Sequence, residues 1–317
     1  MRFLILTLAS GENELEACRS SVTAQCGVST EHRVISNLPK SEAHARLYGT
    51  IMSEGDRFDR FVKLDADMVL AGDDVLERIA ALFDRVQGLD HLVLGVADWY
   101  TDGDIIGVHA FSRRARWLPN PSGLFTDPDP VFPGRKLVIE HPRPIAVLHG
   151  PDPSPVQAFY FGVHRAMKAC QRDLIDAERQ PFSARTNWRT LGRLWHHYRR
   201  SGDYRLALAV YGADLVLCGK LPMAAVDRQS PELAQAFRAA EQLEEEEIRR
   251  RLGSRWSRGL ARQLLWRRAM GPGMAFRVVG RFLRDGLAAP LRLVRRHHQR
   301  RVARLWNDPV GTSRTKR

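Results

Sequence analysis

Apolar positions in the first hundred residues switch repeatedly between two spacings. Phe3 to Leu8 form a short apolar run of strand length, after which Leu15, Cys18 and Val22 recur at helical spacing up to about Gln25. His32 to Ser36 predict a second strand ending at Asn37. Ser41 then stands where it can cap a helix with Ala43, Leu47 and Ile51 on its inner face. Arg60 to Leu64 predict a third strand that runs into Asp65-Ala66-Asp67. Asp73 is placed to cap the next helix, with Val75, Ile79, Leu82 and Val86 inward and Gly88 as its stop. His91 to Val96 predict a fourth strand. Strands alternating with helices predict an α/β domain whose sheet is largely parallel and flanked by helices.

The second half follows other patterns. Trp117 to Pro155 are rich in Pro, Gly and Asp, with one apolar segment, Pro144 to His149, of strand character. A loop-rich stretch after a sheet is where substrate-binding segments are usually carried. Trp188, Leu191, Leu194, Trp195 and Tyr198 mark one helix, Ser201-Gly202-Asp203 a turn, and Leu206, Ala209, Val210 and Ala213 a second helix, together a helical hairpin. Residues 231 to 252 predict a charged helix in which Glu245, Glu246 and Glu247 precede Arg249, Arg250 and Arg251 by four positions. The division expected is therefore a ligand-binding domain over 1–170, a helical hairpin region over 171–230, and a charged helix with a basic tail over 231–317.

Charge changes the picture at the C-terminal end. The net charge of +13 over 317 residues is unevenly placed: residues 249 to 317 hold 20 Lys and Arg against 2 Asp and Glu, leaving the preceding body at −5. Such a tail suits anionic lipid, nucleic acid or an acidic polymer and says nothing about the chemistry of the body. The four cysteines, Cys18, Cys26, Cys170 and Cys218, have neither the close pairing of a zinc site nor the density of a disulfide scaffold, and are read as reduced. The apolar start is followed at once by polar Ser10-Gly11-Glu12-Asn13, which favours a buried first strand over a signal peptide. No later run of about 18 uncharged apolar residues exists, so no membrane span is expected and the cytoplasm is the expected compartment.

The residues that suggest chemistry begin with Asp65 and Asp67. Side chains two apart on a strand share a face, about 6.6 Å apart along it. Two carboxylates on one face at a strand's carboxyl end are satisfied together by a hard divalent cation and a diphosphate. Ligands of open α/β sheets bind at that end of the strands.

Thr7-Leu8-Ala9-Ser10 followed by Cys18 to Gln25, with its Ser21-Val22-Thr23-Ala24-Gln25 segment, resembles the opening strand and helix of family-2-like GT-A glycosyltransferases. Phe61-Val62-Lys63-Leu64-Asp65-Ala66-Asp67-Met68-Val69 is similar to their metal-binding Asp-x-Asp strand, and the likeness covers roughly the first 165 residues. The resemblance implies a GT-A fold, Rossmann-like with a C-terminal helical, basic extension, and transfer of a sugar from a nucleoside-diphosphate sugar. One of Asp65 and Asp67 would contact the donor's ribose or sugar, and the other would hold Mn2+ or Mg2+ against the diphosphate. Thr7, Ser10, Asn37, Lys40 and His44 fall where such enzymes contact the donor. His149 corresponds to the late histidine that completes the metal shell in several of these families. Asp127 or Asp129, within Phe125 to Pro130, stands where inverting members place the base that deprotonates the acceptor hydroxyl. Asp98, Asp102 and Asp104 are further candidates for acceptor contacts. The chain lacks the Glu-Asp pair and the Gln-x-x-Arg-Trp segment of processive synthases, which argues against polymer synthesis.

Residues 274 to 306 interleave Met274, Phe276, Val278, Phe282, Leu287, Leu291, Leu305 and Trp306 with arginines. This pattern suits amphipathic helices at an anionic membrane surface more than nucleic acid, because phosphate contacts alone do not require so much apolar content. The expectation is thus a glycosyltransferase acting on a membrane-associated glycan or lipid-linked acceptor, peripheral on the membrane's inner face. Two alternatives stand beside it: a nucleic-acid-binding protein acting through the basic tail, and a sugar nucleotidylyltransferase. The missing Gly-rich N-terminal signature counts against the latter.

Overall fold

In the computed structural model, residues 1–120, 127, 129–170, 180–222, 227–256 and 306 are described, with residues 180–185 and 252–256 described by backbone alone. The chain opens on a buried strand, β1 (Arg2–Ala9), whose apolar residues alternate between the two faces of one sheet. Parallel to β1 lie β2 (Ser29–Ser36) on one side and β3 (Arg60–Asp65) on the other. Beyond β3 the sheet ceases to be parallel. A hairpin of β5 (Leu89–Asp98) and β6 (Gly103–Ser112) inserts with β6 antiparallel to β3. On its far edge β5 pairs in succession with β7 (Arg135–Ile139) and β8 (Val147–His149), and β8 is antiparallel to the short β4 (Met68–Leu70).

The sheet is therefore mixed, where the spacing of apolar residues predicts one that is largely parallel. The reason lies in the turn after β5. That strand continues past Val96 to Asp98, whose Oδ2 accepts hydrogen bonds from the Thr101 main chain at 3.0 Å and from its hydroxyl at 2.5 Å, and Asp102 takes a positive φ of 47°. The chain reverses there instead of crossing over through a helix.

Each face of the sheet is covered. Leu47 and Ile51 of α2 (Lys40–Ser53) pack on Leu4, Leu6, Phe61 and Phe111. Cys18 and Val22 of α1 (Leu15–Thr23), with Ile79 and Leu82 of α3 (Val75–Arg85), pack on Phe3, Ile5, Val62 and Leu64. Gln25 fastens α3 to the end of α1: its amide donates to the Gly72 carbonyl at 2.6 Å and its Oε1 accepts from the Leu76 N–H at 2.9 Å. Caps differ from expectation. Asp74, not Asp73, precedes α3, and α2 begins at Lys40 with its first N–H donated to the distant Asp227 at 3.0 Å.

The helices α4 (Pro155–Cys170), α5 (Gln180–Ser201), α6 (Tyr204–Leu217), α7 (Pro231–Glu241) and α8 (Glu245–Trp256) form a separate apolar layer. The single helix expected over 231–252 is two, and the expected boundary after residue 170 falls inside this layer. Two glycines let α4 and α6 touch backbone to backbone: a Cβ on Gly162 would lie 1.7 Å from the Ala209 carbonyl oxygen, and one on Gly212 would lie 2.6 Å from that of Phe159. Among the described residues no helix is long and apolar enough to cross a membrane.

The amphipathic tail expected over 274–306 lies outside the described residues except for Trp306. That side chain is not at the surface as a membrane-facing residue would be. It is 1% exposed among α3 and the strands it covers, its indole N–H donates to the Pro144 carbonyl at 3.0 Å, and its own carbonyl accepts from Arg78 at 3.2 Å. Indole burial with the N–H satisfied explains the preference for the core over water.

Candidate functional site

At the carboxyl ends of β1 and β3 a cavity of about 570 Å³ opens between the sheet and α4. Asp65 and Asp67 both line it, but they do not share a face as two residues on one strand would. β3 ends at Asp65, and Ala66-Asp67 form the turn into β4. The antiparallel pairing of β4 with β8 then sets Asp67 beside His149: Met68 is in register with His149, and the Gly150 N–H donates to the Asp67 carbonyl at 2.7 Å.

His149 Nε2 stands 3.4 Å from Asp67 Oδ2, longer than a charge-assisted hydrogen bond, while its Nδ1 is 2.6 Å from Asp98 Oδ1. Burial opposes a charged ring here, yet Asp67 and Asp98 together hold His149 up to about 10. Burial likewise opposes the Asp67 carboxylate, and His149 outweighs it, bringing Asp67 below its ordinary value. Asp67 Oδ1 is buried and has no hydrogen-bond partner. Asp98, expected among acceptor contacts, lies beneath His149 and fixes its ring instead.

Among the described residues no three His, Cys, Asp or Glu side chains converge as a ready metal cage. The pair Asp67 and His149 nonetheless fits one side of a divalent cation site. Asp67 presents Oδ2 to an imidazole whose second nitrogen is held by a carboxylate, the arrangement that orients metal-binding histidines, while its Oδ1 is left without a partner. Ions that bind nucleotides commonly take one or two protein ligands and fill the remaining positions with phosphate oxygens and water.

Asp65 belongs to a different set of contacts. Lys63, buried at the end of β3, places its ammonium 3.1 Å from Asp65 Oδ1 and 3.2 Å from Asp127 Oδ1. Asp127 Oδ1 also accepts from the Tyr48 hydroxyl at 2.6 Å and lies 3.2 Å from His44 Nε2. Burial would raise the Asp127 pKa, but Lys63 and His44 carry it well below the ordinary carboxylate value. A carboxylate so stabilised is a poor proton acceptor at neutral pH, and this is the physical objection to Asp127 as general base. Asp129 lies outside the cavity, exposed and 3.6 Å from Lys136.

The opposite wall comes from α4. Gln157, Tyr160, Phe161, His164, Arg165 and Lys168 recur at helical spacing and line the cavity, while Ala158, Phe159, Val163, Ala166 and Met167 face the helical layer. Lys40 Nζ lies 2.5 Å from His164 Nε2. Burial and the neighbouring Lys168 push Lys40 well below its ordinary value. Burial and Arg165 bring Lys168 down to about 8, and burial and Lys40 keep His164 neutral.

The remaining expected donor contacts divide. Ser10, Lys40 and His44 line the cavity; Thr7 and Asn37 do not. Thr7 is fully buried with its hydroxyl 2.9 Å from His32, and Asn37 is an exposed turn residue with a φ of 60°. Asp102 pairs with Arg200 at the surface, and Asp104 with His141 and Arg143, so neither lines the cavity. Sequence reading passed over Lys63, Tyr160, His164, Arg165, Lys168 and Arg228, all cavity-lining. Comparison of the chain with protein-family models and with curated proteins returned no match.

Proposed function

We propose that this chain is a metal-dependent glycosyltransferase of the GT-A type, moving a sugar from a nucleoside-diphosphate sugar to a membrane-associated or cell-envelope acceptor. The observation that carries the reading is that Asp67, with one carboxylate oxygen partnerless and the other beside His149, lines with His149 a cavity of about 570 Å³, and that Asp98 backs the His149 ring. A cavity of that size suits one small-molecule ligand. The sheet supports the reading only as a mixed α/β platform with the site at strand ends.

In this reading Asp67 and His149 would hold Mn2+ or Mg2+, His149 giving up the proton that Asp67 and Asp98 stabilise on it in the metal-free protein. The cation supplies Lewis-acid stabilisation to the departing diphosphate. Asp98 keeps the His149 ring in place. Arg228, tied to Glu12 Oε1 at 2.5 Å and to the Gly11 carbonyl at 3.2 Å, holds the loop after β1 against the cavity. Asp65, pinned by Lys63 and still partly exposed, is free on one side to accept a donor hydroxyl. Asp127 orients Lys63 and His44 rather than taking the acceptor's proton.

The test is a thermal-shift screen of nucleoside diphosphates and sugar nucleotides with and without Mn2+. A ligand at 100 times its dissociation constant stabilises by about 2.7 kcal/mol. Metal-dependent stabilisation is expected in the wild type and absent in Asp67→Asn. An Asp67→Asn protein that responds to Mn2+ and nucleotide as the wild type does would sink the proposal.

A further inference from the structure

Beside the cavity of Asp67 and His149 lies a second hollow, a groove of about 260 Å³ between one stripe of α2 and the stretch that follows β6. Ser41, His44, Ala45, Tyr48 and Met52 recur at helical spacing along its first wall, and Trp117 to Asn120 form the second. Its rim is open to solvent, since Ser41, Ala45, Met52, Leu118 and Pro119 are exposed, Leu118 to 74%. Its floor, made by His44, Tyr48 and Trp117, is buried. The polar atoms of that floor are engaged elsewhere or enclosed. The Tyr48 hydroxyl donates to Asp127 Oδ1 at 2.6 Å, His44 places Nε2 3.2 Å from the same oxygen and Nδ1 2.8 Å from the Lys40 carbonyl, and Trp117 Nε1 is buried without a hydrogen-bond partner. The rings are engaged as well: Tyr48 stacks on Trp117 with centroids 4.6 Å apart, and Phe111 meets Trp117 edge-on at 4.9 Å. What the groove offers an incoming group is therefore the aliphatic surface of Ala45, Met52, Leu118 and Pro119. Such a surface, left in water, is stabilised by covering with a group that is itself apolar.

Contacts tie the groove to one end of the cavity. His44 lines both, and Asp127, which receives His44 and Tyr48, lines the cavity beside Lys63 and Asp65. The groove thus adjoins the Lys63–Asp127 end, whereas Asp67 and His149 belong to a separate set of contacts. A molecule that reaches the cavity from this side passes His44 and lays the rest of its length against Ala45, Met52 and Leu118.

We propose that the groove holds an alkyl segment of the acceptor, whose hydroxyl end enters the cavity past His44. The substrate class is thereby an amphiphile with a polar reacting end and an aliphatic body, matching a pocket of mostly apolar walls next to a polar one. This names the acceptor of the transferase reading and rests on that reading for the reaction, but binding of the alkyl segment does not require a cation at Asp67.

The experiment titrates the full chain calorimetrically with alkyl β-glucosides of increasing chain length, below their micelle concentrations and in EDTA, with methyl β-glucoside reporting the sugar end alone. Affinity should rise about fourfold with each methylene until the groove is filled. Ala45→Leu fills the groove from an exposed position and Leu118→Gln removes an exposed part of its wall, so each should weaken octyl glucoside about tenfold while melting as the wild type does. A nucleoside diphosphate with Mn2+ should leave octyl glucoside bound. Absence of octyl glucoside binding by the wild type, unweakened binding by either variant, or equal affinity for the methyl and octyl compounds each overturns the proposal. Displacement by the nucleotide would put the alkyl chain in the cavity itself, and a wild-type dimer that Leu118→Gln dissociates would make the groove an interface between copies; either also overturns it. Metal-dependent nucleotide binding is measured separately, so its failure would count against the transferase reading and leave the alkyl site standing.

Discussion

The two ends of the cavity manage buried charge in opposite ways. At the carboxylate end, His149 lies between Asp67 and Asp98, and Lys63 between Asp65 and Asp127, so each buried cation has a carboxylate on either side. At the cationic end, Lys168 and Arg165 help burial to lower Lys40, and Arg165 helps it to lower Lys168. The first arrangement is stable without ligand and is spoiled by removing a partner. The second is stressed without ligand and is relieved by removing a member. The difference teaches that buried charge alone does not mark a binding site; the sign of the response to deletion does.

The largest effect is expected at the compensated end. Asp98→Ala removes the partner of a buried, charged ring and should destabilise the fold by about 3 kcal/mol, since breaking one side of a buried ion pair is strongly unfavourable. It should also weaken Mn2+ binding 10- to 100-fold, the usual consequence of losing the group behind a metal-binding histidine. Urea unfolding and a metal titration check both, and a neutral result in each would show that His149 does not rely on Asp98.

A smaller effect of opposite sign is expected at the stressed end. Lys168→Gln should stabilise the ligand-free protein by about 1 kcal/mol, in the range seen when a functional strain is removed. A clear loss of stability would mean that Lys168 is a structural cation and that the contrast between the ends is false.

The pH dependence sharpens this. Burial and Arg165, with Lys63 and Lys40 also near, hold folded Lys168 at about 8 against an ordinary 10.5, with Asp127 and Asp65 opposing. Between those values the unfolded chain binds more protons than the folded one, so wild-type stability contributed by this group rises with pH. The advantage of Lys168→Gln should therefore be full below about pH 8 and shrink as pH climbs towards 10.5. Melting temperatures of both proteins across that window provide the check; a constant difference would remove Lys168 from the cluster.

The smallest expected quantity is the coupling between the ends. If they act independently, the stability changes of Asp98→Ala and Lys168→Gln should add to within about 0.5 kcal/mol in the double variant. A larger coupling would join the two ends into one network.

Much of the sheet half was legible because its residues obey local rules. β1, β2, β3 and β5 are apolar runs or alternations, and the helices α1, α2 and α3 that lie between them follow from spacing. β6 was missed because Gly103, Asp104, Gly107 and His109 interrupt its apolar character, and its place in the sheet depends on the Asp98–Thr101 turn rather than on periodicity. Asp65 and Asp67 were found as a motif, but their divergence is decided by where β3 stops and by the pairing of β4 with β8, which spacing does not encode. α4 carried a readable signal that went unused. His164, Arg165 and Lys168 fall on one stripe of a helix whose other stripes are apolar, with the unusual feature that the polar stripe faces inward. The role of Asp98 behind His149, 51 residues away, had no local trace at all.

Trp306 gives the basic segment a second point of attachment. Its indole is seated under Pro144 and Arg78, while the chain leaves the helical layer at the end of α8, Trp256. Residue 306 therefore stays clamped to the body by its buried indole until the fold itself opens.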